Sequence, residues 1–280
     1  MKVKIFAIAC GCLFAVSAHA IVRRHDVPDA QYLAFGNVGV SQSVGMVTRG
    51  GFMGTGTYIG QGNGGLHWIL TAAHVVDTTG NTTFQINGNT FNGLSANVFM
   101  QPGHNSNTLA FDLALYGIAA NPGVAPIAMN NQSNHVGMNA VTTGFGNNGN
   151  GQTGIAGWDG QRRAAENTVD AFSNFGAGQV YWRTTFNSPG QAGILPLEGT
   201  TAQGDSGGPL FVNNQIIGVT SWGTSAQSLY GDLSYWTPIH PYTAWITQVS
   251  GIAAVPEPAT MVVLGAGALA LIRRRRNRAS

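Results

Sequence analysis

The chain has 280 residues; 9% are charged and 40 are glycine, with a net charge of +2. That length allows one large or two small domains with a real core. The composition excludes a mainly helical protein and reads as all-β, loop-rich and extracellular. The positive charge sits at the two ends. Residues 21–255 hold six arginines against ten acidic residues, so the body is mildly acidic and a nucleic-acid partner is excluded.

Taken in order, residues 1–20 open with Lys2 and Lys4, continue through an apolar run, and close on Ala18-His19-Ala20. A basic start, a short apolar region and an A-x-A site make a signal peptide for signal peptidase. Both cysteines, Cys10 and Cys12, fall inside it, so the exported chain is expected to have no disulfide. Residues 54–59 and 67–71 then read as two strands joined by a glycine-rich turn. His74 follows the second strand. Residues 81–97 alternate polar and apolar side chains between Asn-Gly turns, as hairpins do. Asp112 stands in Phe111-Asp112-Leu113-Ala114-Leu115. Residues 121–132 read as a connection. Residues 147–160, rich in glycine and asparagine, read as a mobile surface loop. His25, His67, His104, His135 and His240 show no metal-ligand spacing and read as structural or surface groups. No metal or cofactor is expected. Tyr242, Trp245, Ile246 and Val249 recur at i, i+3, i+4 and i+7, an amphipathic helix that closes the fold.

The most informative run is Gly204-Asp205-Ser206-Gly207-Gly208-Pro209. A serine between glycines sits where backbone amides can approach a substrate closely. An alcohol is a poor nucleophile at neutral pH, so a catalytic serine needs a base and an orienting acid. Thr71-Ala72-Ala73-His74, Asp112-Leu113-Ala114-Leu115 and the serine run, in that order, resemble the trypsin-like serine proteases. The likeness covers roughly residues 21–249.

That resemblance implies two six-stranded antiparallel β-barrels of the chymotrypsin kind with a C-terminal helix. The peptidase domain is residues 21–250, barrel one about 21–128 and barrel two about 129–250. It implies that His74 takes the proton of Ser206, that Asp112 holds the tautomer of His74, and that the amides of Gly204 and Ser206 form the oxyanion hole. It implies an ion pair between a new Ile21 amino group and Asp205, although Arg23 and Arg24 stand where the family has glycines. By position, Thr200 is the base of the substrate pocket and Ser221, Trp222 and Gly223 form one wall, with Thr201 and Glu198 nearby. Trypsin itself carries aspartate at the base. An uncharged residue of small to medium size before the cut is therefore expected in protein or peptide substrates. The competing reading is an inactive surface binding module of the same fold.

Beyond Val255-Pro256-Glu257-Pro258, residues 259–272 are apolar and Arg273–Arg276 are basic. Residues 251–280 resemble the PEP-CTERM sorting tail of Gram-negative bacteria. The resemblance implies transient membrane association through a transmembrane helix, cleavage by an exosortase, and a final place at the cell surface or in the extracellular matrix.

Overall fold

The computed structural model describes residues 21–256. The expected signal peptide and the apolar segment 259–272 lie outside them. Strand β1 (Ile21–Arg23) is followed by helix α1 (Asp29–Gly36). Six strands then close a barrel in the order β2-β3-β4-β7-β6-β5. They are β2 (Val44–Arg49), β3 (Phe52–Gln61), β4 (His67–Thr71), β5 (Thr82–Ile86), β6 (Asn89–Met100) and β7 (Ala114–Ile118), with the one-turn helix α2 (Ala73–Val76) after β4. Strands β3 and β4 are the expected pair about the glycine-rich turn, and β5 and β6 the expected hairpin.

The second half begins with β8 (Asn139–Gly144), β9 (Asn148–Asn150), β10 (Gly154–Gly157), β11 (Arg163–Asn174), β12 (Val180–Thr185) and β13 (Gly199–Thr200). It ends with β14 (Pro209–Val212), β15 (Gln215–Gly223), β16 (Leu233–Pro238) and helix α3 (Thr243–Ser250). Six of these strands close a second barrel, β11-β12-β16-β15-β14-β8. All neighbouring pairs in both barrels are antiparallel. The fold is therefore two six-stranded barrels and one C-terminal helix, as expected. Closure leaves no long open sheet edge.

Each barrel is filled by the inward half of its alternating strands. The larger core runs from Val47, Ile69, Phe84 and Tyr116 into Phe211, Ile239 and the Ile246 face of α3, so the helix seals both halves together. The second core centres on Trp182 and Trp236.

Residues 147–160 depart from expectation. They form β9 and β10, which join β1 and β13 in a separate sheet ordered β10-β9-β1-β13. Asparagine and glycine have little strand propensity; here the neighbouring main chain supplies the pairing. Ile21–Arg23 run parallel to Asn148–Asn150 and antiparallel to Gly199 and Thr200. The N-terminal segment thus belongs to the second half of the molecule rather than to the first barrel.

A buried arginine fastens α1 to this region. Arg163 has no exposed side-chain surface and reaches Asp29 at 2.7 and 2.8 Å and Asp159 at 3.2 Å. Arg163→Ala removes the cation these carboxylates share and is expected to cost about 3–5 kcal/mol in denaturant unfolding. Arg163→Lys should recover only part of this, since one ammonium cannot form the two-pronged contact with Asp29.

Candidate active site

His74 is carried by α2, the single turn that follows β4, and Asp112 by the stretch entering β7. Strands β4 and β7 are hydrogen-bonded neighbours, with Thr71 opposite Ala114. This register brings the two side chains together. His74 Nδ1 lies 2.7 Å from Asp112 Oδ2, and the His74 amide donates to Asp112 Oδ1 at 2.9 Å. A third donor, the Ser221 hydroxyl from β15, reaches Oδ2 at 2.5 Å. Ser221, expected only as pocket wall, therefore also ties the second barrel to this carboxylate. Asp112 is wholly buried. Burial alone would raise its carboxyl, but the charge and hydrogen bonds of His74, with the Ser221 hydroxyl, hold it below the usual carboxylate range.

Ser206 comes from the loop between β13 and β14. Its carbonyl accepts the Thr55 amide of β3 at 2.7 Å. A Cβ on Gly54 would lie 2.7 Å from the methyls of Val75, next to His74, and 2.8 Å from that same carbonyl. Only glycine allows the serine loop to come this close to α2. Gly207 has φ +84°, and a Cβ there would collide with Thr71 and Thr55. Among the described residues no hydrogen bond joins the Ser206 hydroxyl to His74, and neither the Gly204 nor the Ser206 amide donates to another acceptor.

Asp205 is fully buried and does not line the cavity beside Ser206. It accepts the amides of Ala202 and Gly146 at 2.8 Å each, and that of Ile21. Burial pushes its carboxyl up to about 7, against these bonds and the charge of Arg163. Ile21 is also buried, with φ +60°. The two arginines after it act as clamps. Arg23 donates to the carbonyls of Arg24 and Val27, and Arg24 to Asp26 and to the Leu195 carbonyl.

The match to the Trypsin family model runs over residues 39–246. The chain belongs to the trypsin family of serine-type peptidases. A trypsin of Saccharopolyspora erythraea is 31% identical over 169 residues, which cover 55% of this chain and 70% of that protein. An uncharacterized peptidase of Corynebacterium glutamicum is 33% identical over 125 residues, 40% of this chain and 42% of the other. A kallikrein-like enzyme of Lachesis muta muta is 40% identical over 58 residues, 21% of this chain and 30% of the other. The solved Rv3671c protease in its inactive form is 17% identical with a TM-score of 0.54, covering 79% of this chain and 96% of that one, a likeness of fold. Residues 254–276 match the PEP-CTERM protein-sorting motif. Among the described residues no helix is long and apolar enough to cross a membrane, so the expected transmembrane helix has no support within them.

Beside Ser206 this trypsin-family chain has a cavity of about 420 Å³, lined among others by Thr201, Ser221, Trp222, Gly223 and Ser228. A larger cavity, about 520 Å³, opens between Gly39, Gln42, Asn87 and Asn214 and has no ionisable side chain in its lining. Trp222 stacks flat on Tyr235 at 3.9 Å, which fixes the wall. Thr200 does not line the cavity. Its strand is paired to β1, and its hydroxyl turns to Ser234 at 2.8 Å, behind Thr201. Glu198 is likewise turned away. It is buried and accepts both nitrogens of Asn187 and the Leu195 amide, while burial raises its carboxyl.

One neighbour of Asp112 escaped the sequence reading. His104 is almost entirely buried, with Nδ1 4.0 Å from Asp112 Oδ1 and Nε2 3.6 Å from Asp77 Oδ2. It belongs to no recognisable motif, so only the fold reveals it.

Proposed function

We propose that the chain is a secreted serine endopeptidase that works through Ser206, His74 and Asp112. The observation that carries this reading is the buried Asp112 carboxylate, held by three donors and aimed at His74 Nδ1. An ionised acceptor there keeps the proton on Nδ1 and leaves Nε2 as the free base. His74 then takes the proton of Ser206 as its oxygen attacks the scissile carbonyl. Asp112 stabilises the imidazolium, which returns the proton to the leaving amine. Water, activated by the same base, releases the acyl group. The carbonyl oxygen, negative in the tetrahedral intermediate, is received by the free amides of Gly204 and Ser206. Catalytic contacts of free enzymes are often long and tighten when substrate binds, which is compatible with the unbonded Ser206 hydroxyl.

The substrate is a protein or peptide with an uncharged residue before the cut; the cavity beside Ser206 has no charged residue in its lining. The chain is exported by its signal peptide. Its sorting tail holds it transiently at the inner membrane until an exosortase cuts, leaving it at the cell surface or in the extracellular matrix. Incubation of the mature protein with a fluorophosphonate tests the catalytic reading. One adduct per chain, found on Ser206 by mass spectrometry, supports it. A folded protein that takes up none is an inactive binding module.

In the mature form Ile21 supplies an α-ammonium to Asp205. Before cleavage the Ile21 nitrogen is a peptide amide, and the raised carboxyl of Asp205 gives a pH signature. Between about pH 4 and 7 the folded precursor holds a proton on Asp205 that the unfolded chain has released. Raising the pH therefore destabilises the precursor, and its Tm is expected to fall across this window. A chain that begins at Ile21 should show a smaller fall, because the ammonium favours the charged carboxylate. Equal pH profiles for the two chains would dismiss the ion pair.

A further inference from the structure

The cavity beside Ser206 contains no carboxylate, ammonium or guanidinium, but it is rich in hydroxyls. The Thr201 hydroxyl and two more behind the lining form a buried chain. The Thr200 and Thr201 hydroxyls each lie 2.8 Å from that of Ser234. Of the three residues, only Thr201 lines the cavity. A hydroxyl has one proton and two lone pairs, so the chain can run in either direction. Run from Thr200 through Ser234 to Thr201, it leaves the Thr201 proton free to point into the cavity. Run the other way, it leaves Thr201 lone pairs there. Close by, the Ser228 hydroxyl donates to the Thr201 carbonyl at 2.9 Å, so it offers the cavity lone pairs only.

We infer that this pocket selects a carboxamide side chain, glutamine or asparagine, on the residue before the scissile bond. The inference rests on the peptidase reading of Ser206 and deepens it. A carboxamide has an acceptor oxygen and a donor NH₂ on one carbon. The oxygen matches the Thr201 proton and the NH₂ matches the Ser228 lone pairs. The other classes fit less well. An aliphatic side chain would strip water from both hydroxyls and return nothing, and sites built to hydrogen-bond reject analogues that cannot. A lysine or arginine would bury its charge without a counter-ion. A glutamate would bury its charge with hydroxyl and amide donors in the lining but no cation to pair with it.

The test uses the mature protein and a peptide library varied at the residue before the cut, read by mass spectrometry. Matched peptides with glutamine, asparagine, leucine, arginine or glutamate at that place then give kcat/KM values. Glutamine or asparagine is expected to exceed leucine by ~10-fold or more. Thr201→Val removes the hydroxyl and keeps the shape; it should reduce the glutamine-to-leucine ratio by ~10-fold. Ser234→Ala leaves Thr201 in place but breaks the chain behind it, and should move the ratio the same way by less. A preference for leucine, arginine or glutamate overturns the inference, as does a Thr201→Val loss equal for every peptide. Fluorophosphonate labelling in parallel separates the two failures. A labelled Ser206 with another preference overturns the pocket inference alone; an unlabelled one overturns the peptidase reading and this inference with it.

Discussion

Ser206→Ala is expected to lower kcat by about five to six orders of magnitude while leaving the fold intact. The size of the loss follows from what the hydroxyl does. Without it there is no acyl-enzyme, and His74 and Asp112 have no nucleophile to activate. On the proposed mechanism, residual turnover would come only from binding and from the amides of Gly204 and Ser206 as the oxyanion hole. The substitution is benign structurally. The Ser206 side chain makes no hydrogen bond among the described residues, and the bond that locates the loop, to the Thr55 amide, uses the main-chain carbonyl. Circular dichroism and melting should therefore match the parent while single-turnover acylation disappears. Retained hydrolysis in Ser206→Ala would locate the chemistry elsewhere.

Asp112→Asn should cost about 10⁴ in kcat at neutral pH, with little change in KM. The amide can keep an oxygen toward one donor, but its NH₂ must then face another of the three. Turned toward Nδ1, the NH₂ demands an acceptor there, so the ring proton moves to Nε2 and His74 can no longer receive the proton of Ser206. Turned away, it confronts the His74 amide, a donor against a donor. Imidazole nitrogen shifts distinguish the tautomers directly. The variant also carries a stability signature. Because the carboxyl of Asp112 is held low, the parent gains stability above the ordinary carboxylate range and loses it as pH falls through that range and below. The asparagine variant lacks this ionisation, so its acid-side decline should be shallower. An unchanged decline would remove Asp112 as a source of the pH dependence.

The strands of the first barrel were legible because their pattern is local. Residues 54–59 and 67–71 are apolar runs around a glycine turn, and they pair as read. Helix α3 was legible from the spacing of Tyr242, Trp245, Ile246 and Val249; the helix itself starts at Thr243, and Tyr242 and Ile246 are both buried. The neighbourhoods of His74, Asp112 and Ser206 were legible as motifs. What stayed hidden depends on contacts between distant residues. Nothing in Ser221-Trp222-Gly223 announces a hydroxyl aimed at Asp112, 109 positions away. The orientation of Glu198 depends on Asn187 and Leu195, which curl over it. Residues 147–160 carry no side-chain rhythm, since their order comes from bonding to β1. Arg23 and Arg24 stand where the family has glycines, a departure from the expected pattern. The structure instead gives both side chains carbonyls to grip, so the segment is braced.

The sheet that contains β1 has one more implication. Thr200 is registered against Val22, and Val22 against Gly149. The strand that carries the Thr200 hydroxyl is thus backed by main chain of β1 and β9, none of which lines the cavity. On the pocket inference, the hydrogen-bonding groups are Thr201 and Ser228, with Ser234 behind Thr201, whereas β1 and β9 pair side by side next to the strand that carries Thr200. A change in β9 then reaches Thr200 through β1 rather than through a group that lines the cavity.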